Sequence, residues 1–179
     1  METLVVATIL LIGHALMGAV DGMYLHDLKY ALHKHVDSFT EHIAHTLRVM
    51  AMIPLVLLLF ALNTGGMLLW LAVFVLILDI LFQSWDISLE RKSRERYGGL
   101  STAEYQIHIL STLFYGAALA LALIAKPASA WEWASPLILD TPHPTFVSTI
   151  GWVMFIGAIL AGLLHLYYLH PKFRSEESS

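Results

Sequence analysis

Carboxylates interrupt an apolar run of the chain at a spacing that places them on one side of a helix. Asp79 stands within the run 67–85, and Gln83, Asp86 and Glu90 follow it at offsets of four, seven and eleven residues. At about 100° per residue, the four side chains fall within roughly 60° of one another. Because carboxylates are costly inside a bilayer, this row predicts a face that binds cations or protons.

The other apolar segments carry further carboxylates and imidazoles, spaced so that they share a helix face. Oxygen and nitrogen donors without any cysteine suit dinuclear iron or manganese centres in helix bundles, and zinc also accepts them. We predict direct metal ligands at Asp79, Asp86, Glu104, His108, His45 and His165. Further ligands, or partners that orient the imidazoles, are expected at His14, Asp21, Glu41, Gln83 and Glu90.

Three of the glutamates also have a purely structural interpretation. Glu41 closes the sequence Ser38-Phe39-Thr40-Glu41, which fits a capping box, and Glu104 suits the first turn of a helix. Glu90 is spaced to pair with Arg94 at the surface. Five further histidines are interpreted as solvated or structural residues of connections: His26, His33, His35, His42 and His143. The metal hypothesis therefore rests on the combination of carboxylates and imidazoles that are predicted to lie at a similar depth in the membrane.

The composition indicates how these residues are positioned. Hydrophobic residues make up 58% of the 179-residue chain and charged residues only 13%, which is typical of an integral membrane protein. We predict an all-α bundle of five transmembrane helices, at 4–24, 46–62, 67–85, 102–125 and 146–168. The first segment follows a start without basic residues, so it is expected to remain a helix rather than a cleaved signal. One domain over 1–174 precedes a disordered tail at 175–179.

Basic residues predict the orientation of the bundle. If the spans alternate, nine of the ten Lys and Arg residues share one side, and only Lys126 lies opposite. That side is predicted to be cytoplasmic, with the N-terminus outside and the C-terminus inside, in a bacterial inner membrane that the chain crosses several times. The net charge of −4 and the lack of a basic, aromatic-rich patch give no indication of nucleic acid binding.

The leading functional hypothesis is a membrane metal-dependent oxidoreductase with two transition-metal ions near the cytoplasmic face. Iron is favoured, and the expected substrate is a lipid-like or quinone-like molecule. Zinc would instead activate water for hydrolysis. Ser111 and Tyr115 lie deeper on the face of Glu104 and His108 and are expected to line a substrate channel. No catalytic residue is assigned. The expected partners are membrane lipid and a hydrophobic small molecule, with a homo-oligomer or a partner membrane subunit left open.

Three other functions are compatible with the pattern. A b-type haem electron-transfer subunit would use opposed axial histidines, drawn from His14, His45, His108 and His165. A metal-ion or proton transporter would use the same acids as relays. However, the stretches 68–78 and 113–124 beyond the acids are apolar, so the sequence shows no complete polar path. An accessory subunit would use the polar faces to bind partner helices.

In outline, a five-helix membrane protein rich in histidine resembles the membrane di-iron desaturases and hydroxylases. Those enzymes carry closely spaced histidine boxes, including an adjacent His-His pair. The nearest approaches here are His33-Lys34-His35 and His42-Ile43-Ala44-His45. No family is assigned and no residue role is transferred.

Overall fold

Five long apolar helices make up the chain, as its hydropathy pattern predicts. The computed structural model describes residues 1–174, so the predicted tail at 175–179 lies outside the described residues. The helices are α1 (Glu2–Lys29), α2 (Phe39–Ala61), α3 (Gly66–Ser93), α4 (Thr102–Ile124) and α5 (Thr145–Tyr168), each long and apolar enough to cross a membrane. α1 and α3 continue past the ends of their predicted spans, and α2 begins at Phe39, next to the Ser38 at which the capping-box sequence predicts the helix to start. These extensions carry many of the polar residues.

The helices pack around an apolar core that fills one half of the bundle. α1 packs along α4, while α2 lies against both α3 and α5. The core residues come from the first turns of α1, α3 and α5 and the last turns of α2 and α4, among them Leu11, Phe60, Leu69, Leu119 and Val147. Large apolar side chains such as Leu16, Phe74 and Leu163 are exposed, as expected for a surface that faces lipid. The ionisable residues gather in the other half.

The second part of α1 is wound more widely than a regular helix. Ala19–Lys29 is π-helical, and at its end the Tyr30 N–H donates to the Leu25 carbonyl over 2.9 Å. Two residues five positions apart would be about 140° apart on an α-helix. At roughly 4.4 residues per turn, expected of i→i+5 bonding, the angle falls to about 50°. The winding therefore brings Asp21 and His26 to the same side of α1.

The starts of α2 and α4 differ from each other in how they are capped. Ser101 caps α4 as its sequence predicts, because its Oγ accepts from the Glu104 N–H over 3.2 Å. The predicted capping box of α2 is absent: the Ser38 hydroxyl donates to the carbonyl of Leu32 over 2.5 Å instead. The Glu41 side chain is therefore not used as a cap, and it is buried in the bundle with 3% exposure.

A glycine on α5 is expected to be required for the packing of α5 on α2. A Cβ added at Gly151 would lie 2.6 Å from the Phe60 carbonyl carbon and would also overlap the Ala61 backbone. Because backbone cannot move aside easily, Gly151→Ala is expected to lower the free energy of unfolding by about 1–3 kcal/mol. A Cβ at Gly157 on the same helix would meet no neighbouring atom within 4 Å, so Gly157→Ala is the matched control. Equal thermal unfolding midpoints for the two alanine variants would contradict this packing.

Candidate metal centre

Four ionisable side chains from α1 and α4 converge in the polar half of the bundle. Asp21 and His26 come from the widely wound part of α1, and Glu104 and His108 from the start of α4. Each offers one ligand atom, and these atoms all lie within 4.8 Å of one another. Glu104 is fully buried, and Asp21 and His26 are 9% and 8% exposed. We call these four residues the α1–α4 cluster.

His108 lies between two carboxylates from different helices. Its Nε2 is 2.8 Å from Asp21 Oδ1, and its Nδ1 is 3.2 Å from Glu90 Oε1 on α3. The contact with Asp21 has the geometry of a hydrogen bond, whereas Nδ1 has no hydrogen bond of adequate angle. Glu90 therefore borders the cluster and places a third helix beside it.

His26 lies beside the same Asp21 carboxylate and accepts a hydrogen bond from Arg94. Arg94 Nη2 lies 2.9 Å from His26 Nε2. Because a guanidinium can only donate, Nε2 is the acceptor and the neutral ring carries its proton on Nδ1. The same Nε2 is 3.5 Å from Asp21 Oδ1, and its single lone pair accepts the hydrogen bond from Arg94. A metal ion held by His26 would therefore have to replace Arg94 as the partner of this nitrogen.

Arg94, directly after α3, is a fully buried guanidinium beside the cluster. Its Nε donates to Glu104 Oε1 over 2.7 Å, and its Nη1 lies 3.1 Å from both Glu41 oxygens. Burial alone would lower the pKa of Arg94, but the adjacent Glu41 and Glu104 raise it above its usual value. The surface pairing with Glu90 that the sequence suggested is replaced by these buried ion pairs. Arg94 thus compensates part of the acidic charge.

Imidazoles continue from the cluster towards α5. The ring centroids of His26 and His45 are 5.1 Å apart, those of His45 and His165 are 5.1 Å apart, and those of His165 and His42 are 5.3 Å apart. A cavity of about 10 Å³, enough for roughly one water or ion, lies among them. We call it the histidine cavity, and its lining residues are His26, Asp27, Leu32, Glu41, His42, His45 and His165.

Asp86 lies beside the histidine cavity and has a cationic partner. Arg48 Nη1 donates to its Oδ2 over 2.9 Å, and His45 Nδ1 is 3.4 Å from the same oxygen. The other carboxylate oxygen, Oδ1, is buried without a hydrogen-bond partner. Asp86 is therefore an ion-pair partner that keeps one oxygen free to accept a further donor or ligand.

A separate polar group lies deeper in the bundle. His14 Nδ1 is 2.9 Å from Ser111 Oγ, and the His14 ring stacks on Tyr115 with centroids 4.5 Å apart. Asp79 is buried beside the Tyr115 side chain. Gln83, on the same face of α3, donates instead to Thr112 Oγ1 over 2.7 Å. We call His14, Asp79, Ser111 and Tyr115 the deep polar group.

The structure divides the sequence-predicted ligands among three places. Asp21, Glu104 and His108 form the α1–α4 cluster with His26, and Glu41 and Glu90 border it through Arg94 and His108. His45, His165 and Asp86 lie at or beside the histidine cavity. His14 and Asp79 belong to the deep polar group. The residues that sequence reasoning gave no ligand role are His26, His42 and Arg94.

Comparison with known proteins adds no functional assignment to this geometry. No protein-family model matches the chain, and no curated protein and no solved structure is significantly similar to it. The arrangement of its own side chains is therefore the basis for assigning a function.

Proposed function

We propose that the chain is a membrane-embedded metalloenzyme whose first metal ion is held by the α1–α4 cluster. The observation that carries this proposal is the convergence of one ligand atom from each of four side chains, all within 4.8 Å of one another. His26 would exchange its hydrogen bond from Arg94 for the metal. Ligand atoms bound to one metal at about 2.0–2.2 Å lie roughly 3–4.4 Å from one another. The widest separation in the cluster is 4.8 Å, so a small adjustment of side chains would close it around one ion.

The charge balance supports a cation in this half of the bundle. Two buried or half-buried guanidiniums, Arg48 and Arg94, face five carboxylates: Asp21, Glu41, Asp86, Glu90 and Glu104. Uncompensated carboxylates are strongly disfavoured away from water. A divalent ion would compensate most of this excess. The arginines alone do not.

A second ion fits the histidine cavity, which adjoins the cluster through the shared His26 ring. His165 Nδ1 is buried there without a hydrogen-bond partner. His42 Nε2 donates to the His165 carbonyl over 3.1 Å, which leaves the lone pair of its Nδ1 available. The two sites together would form a dinuclear centre with mixed oxygen and nitrogen ligands, for which iron is favoured and manganese or zinc are alternatives.

Oxidation of a lipid-like or quinone-like molecule is the proposed reaction. Redox-active iron would supply the electron transfer, and with dioxygen as the acceptor two quinols would give two quinones and two waters. The deep polar group supports this substrate class, because a hydroxyl, an imidazole and a carboxylate lie together under an apolar, lipid-facing surface. With zinc, the same centre would activate water for hydrolysis.

The packing gives less support to the other functions. The His165 ring lies 5.1 Å from the His45 ring and 5.3 Å from the His42 ring between centroids, which leaves no gap for a porphyrin between either pair. For a transporter, a polar path would have to continue beyond Asp79. Leu11, Leu69 and Leu119 instead fill the next layer of the core and are at most 2% exposed.

Elemental analysis of the purified full-length chain tests the proposal. We expect about two transition-metal ions per chain after expression in iron- and manganese-replete medium and purification without chelator. Dioxygen consumption with a short-chain quinol then tests the reaction. Metal content indistinguishable from that of a membrane protein without such sites would contradict the metalloenzyme proposal.

We also propose that the polar half of the bundle faces the cytoplasm. The chain has no cysteine, so single cysteines can be introduced at two exposed positions at opposite ends of the bundle, Lys92 in the last turn of α3 and Ala134 in the connection between α4 and α5. The excess of basic residues on the side of Lys92 predicts that an impermeant thiol reagent labels Ala134→Cys but not Lys92→Cys in intact cells. The reverse pattern would overturn this orientation.

A further inference from the structure

A buried lysine without a carboxylate partner lies at the other end of the bundle. Lys126 follows α4 and is 8% exposed. Among residues 1–174, no Asp or Glu lies within ion-pair distance of its ammonium group, whose closest polar contact is Asn63 Oδ1 at 3.4 Å. Burial lowers the pKa of Lys126 to about 8. A buried ammonium in this state lacks a counter-charge.

The orientation of the Asn63 amide is determined by the loop that precedes α5. Its Nδ2 donates to the Thr141 carbonyl and to Thr141 Oγ1, each over 2.9 Å, so Oδ1 must face Lys126. The Asn63 carbonyl in turn accepts from the Leu139 N–H over 2.8 Å. The Lys126 ammonium has three N–H donors, and one amide oxygen cannot accept a hydrogen bond from all of them. The remaining donors need another acceptor.

A cavity of about 60 Å³ lies at this position and has room for several atoms the size of a water molecule. Its polar lining comes from Lys126, Asn63, Thr141 and His143, and its walls are mostly apolar and proline residues. We call it the Lys126 cavity. It is remote from the α1–α4 cluster, so nothing about its occupant depends on the proposed metal centre.

His143 adds an acceptor to the Lys126 cavity. Its Nε2–H donates to the Phe60 carbonyl over 2.8 Å, so the lone pair of the neutral ring is on Nδ1. That Nδ1 is buried without a hydrogen-bond partner. Burial lowers the pKa of His143, which keeps the ring neutral. The cavity thus combines a cationic donor with a buried acceptor.

We propose that the Lys126 cavity binds a small monovalent oxyanion that carries one hydroxyl group, of the size and chemistry of bicarbonate. An anionic oxygen would accept from the Lys126 ammonium, and the ligand O–H would donate to His143 Nδ1. A halide satisfies the lysine but leaves the imidazole acceptor unpaired. Nitrate has the shape and charge of bicarbonate and lacks only the hydroxyl, which makes it the matched probe.

Thermal unfolding of the full-length chain in nanodiscs tests this proposal. The titrations use sodium bicarbonate or sodium nitrate at constant ionic strength, at a pH below 8 where Lys126 remains charged. We expect a saturable rise in the unfolding midpoint with bicarbonate, at a concentration roughly tenfold below that needed for nitrate, because one hydrogen bond to a buried acceptor is lost. Equal potency of the two anions, or no saturable effect of either, would overturn the proposal.

Two substitutions separate the contributions of the charge and of the acceptor. Lys126→Met is expected to abolish the response to both anions. His143→Phe is expected to weaken bicarbonate to the level of nitrate while leaving nitrate unchanged. Lys172→Met, an exposed lysine beyond α5, is the control and should respond as the unmodified chain does. If Lys126→Met does not fold, the comparison of the two anions on the unmodified chain and on His143→Phe still decides the proposal.

Discussion

Replacing His108 by alanine is expected to abolish retention of the metal in the α1–α4 cluster, with a fall in affinity of more than about 100-fold. His108 contributes one of the four proposed ligands and contacts both Asp21 and Glu90, so its loss leaves an incomplete coordination shell and removes a partner from two carboxylates. Asp21→Ala should have the same effect, because its Oδ1 faces both histidines of the cluster. Metal content per chain, measured on protein purified in parallel, gives the result.

Two variants show whether such a loss is specific. His170→Ala removes an exposed histidine beyond α5 and should leave the metal content unchanged. Asp79→Ala is more informative, because the sequence favoured Asp79 as a direct ligand whereas the structure places it in the deep polar group. We therefore expect Asp79→Ala to retain the metal and to lose quinol oxidation. Retention by His108→Ala together with loss in Asp79→Ala would reverse our assignment of the ligands.

Replacing Arg94 by methionine is expected to have the largest effect on stability, lowering the free energy of unfolding by about 3–5 kcal/mol. Methionine keeps much of the side-chain length but leaves Glu41 and Glu104 buried without their shared cation. Neutral glutamines at both positions remove that penalty, so the triple variant Arg94→Met, Glu41→Gln, Glu104→Gln should recover most of the loss. Denaturation by SDS in mixed micelles gives the free energies.

The control for Arg94 is the exposed Arg91, three residues earlier on the last turn of α3. Arg91→Met should change the free energy of unfolding by less than about 0.5 kcal/mol. If Arg94→Met is no less stable than Arg91→Met, the buried guanidinium does not compensate the two glutamates. A smaller loss in the presence of added divalent metal would show that a metal ion can take over part of that role.

Hydropathy predicts the five helices well. Five apolar segments separated by short connections give five spans, and regular spacing correctly puts Glu104 and His108 on one face of α4. The same argument fails for α1, because it assumes 3.6 residues per turn. Asp21 and His26 come together only because Ala19–Lys29 is wound with i→i+5 bonds, and no local pattern in these residues signals that winding.

The burial of Arg94 and His42 is not predicted from the sequence, for a different reason. Arg94 directly follows α3, and His42 lies in the first turn of α2. At such positions near a connection, the local sequence predicts that a polar side chain is exposed to solvent. Their burial is decided by other helices: Arg94 is enclosed by Glu41 and Glu104, and His42 by α5 through the His165 carbonyl. Such contacts span from 10 to 123 residues of sequence, beyond the range over which periodicity carries information.

Because α1 and α4 supply all four residues of the α1–α4 cluster, the order of synthesis would constrain when the proposed metal ion can bind. Asp21 and His26 leave the ribosome before any partner exists, and Glu104 follows only after α1, α2 and α3 have been made. At about 5–20 residues per second, that interval lasts several seconds. During it, the carboxylate of Asp21 must reside in the membrane or at its surface without its eventual partners. Binding of the proposed metal ion would therefore be a late step of biogenesis, because the nascent first helix lacks two of the four ligands until α4 has been made.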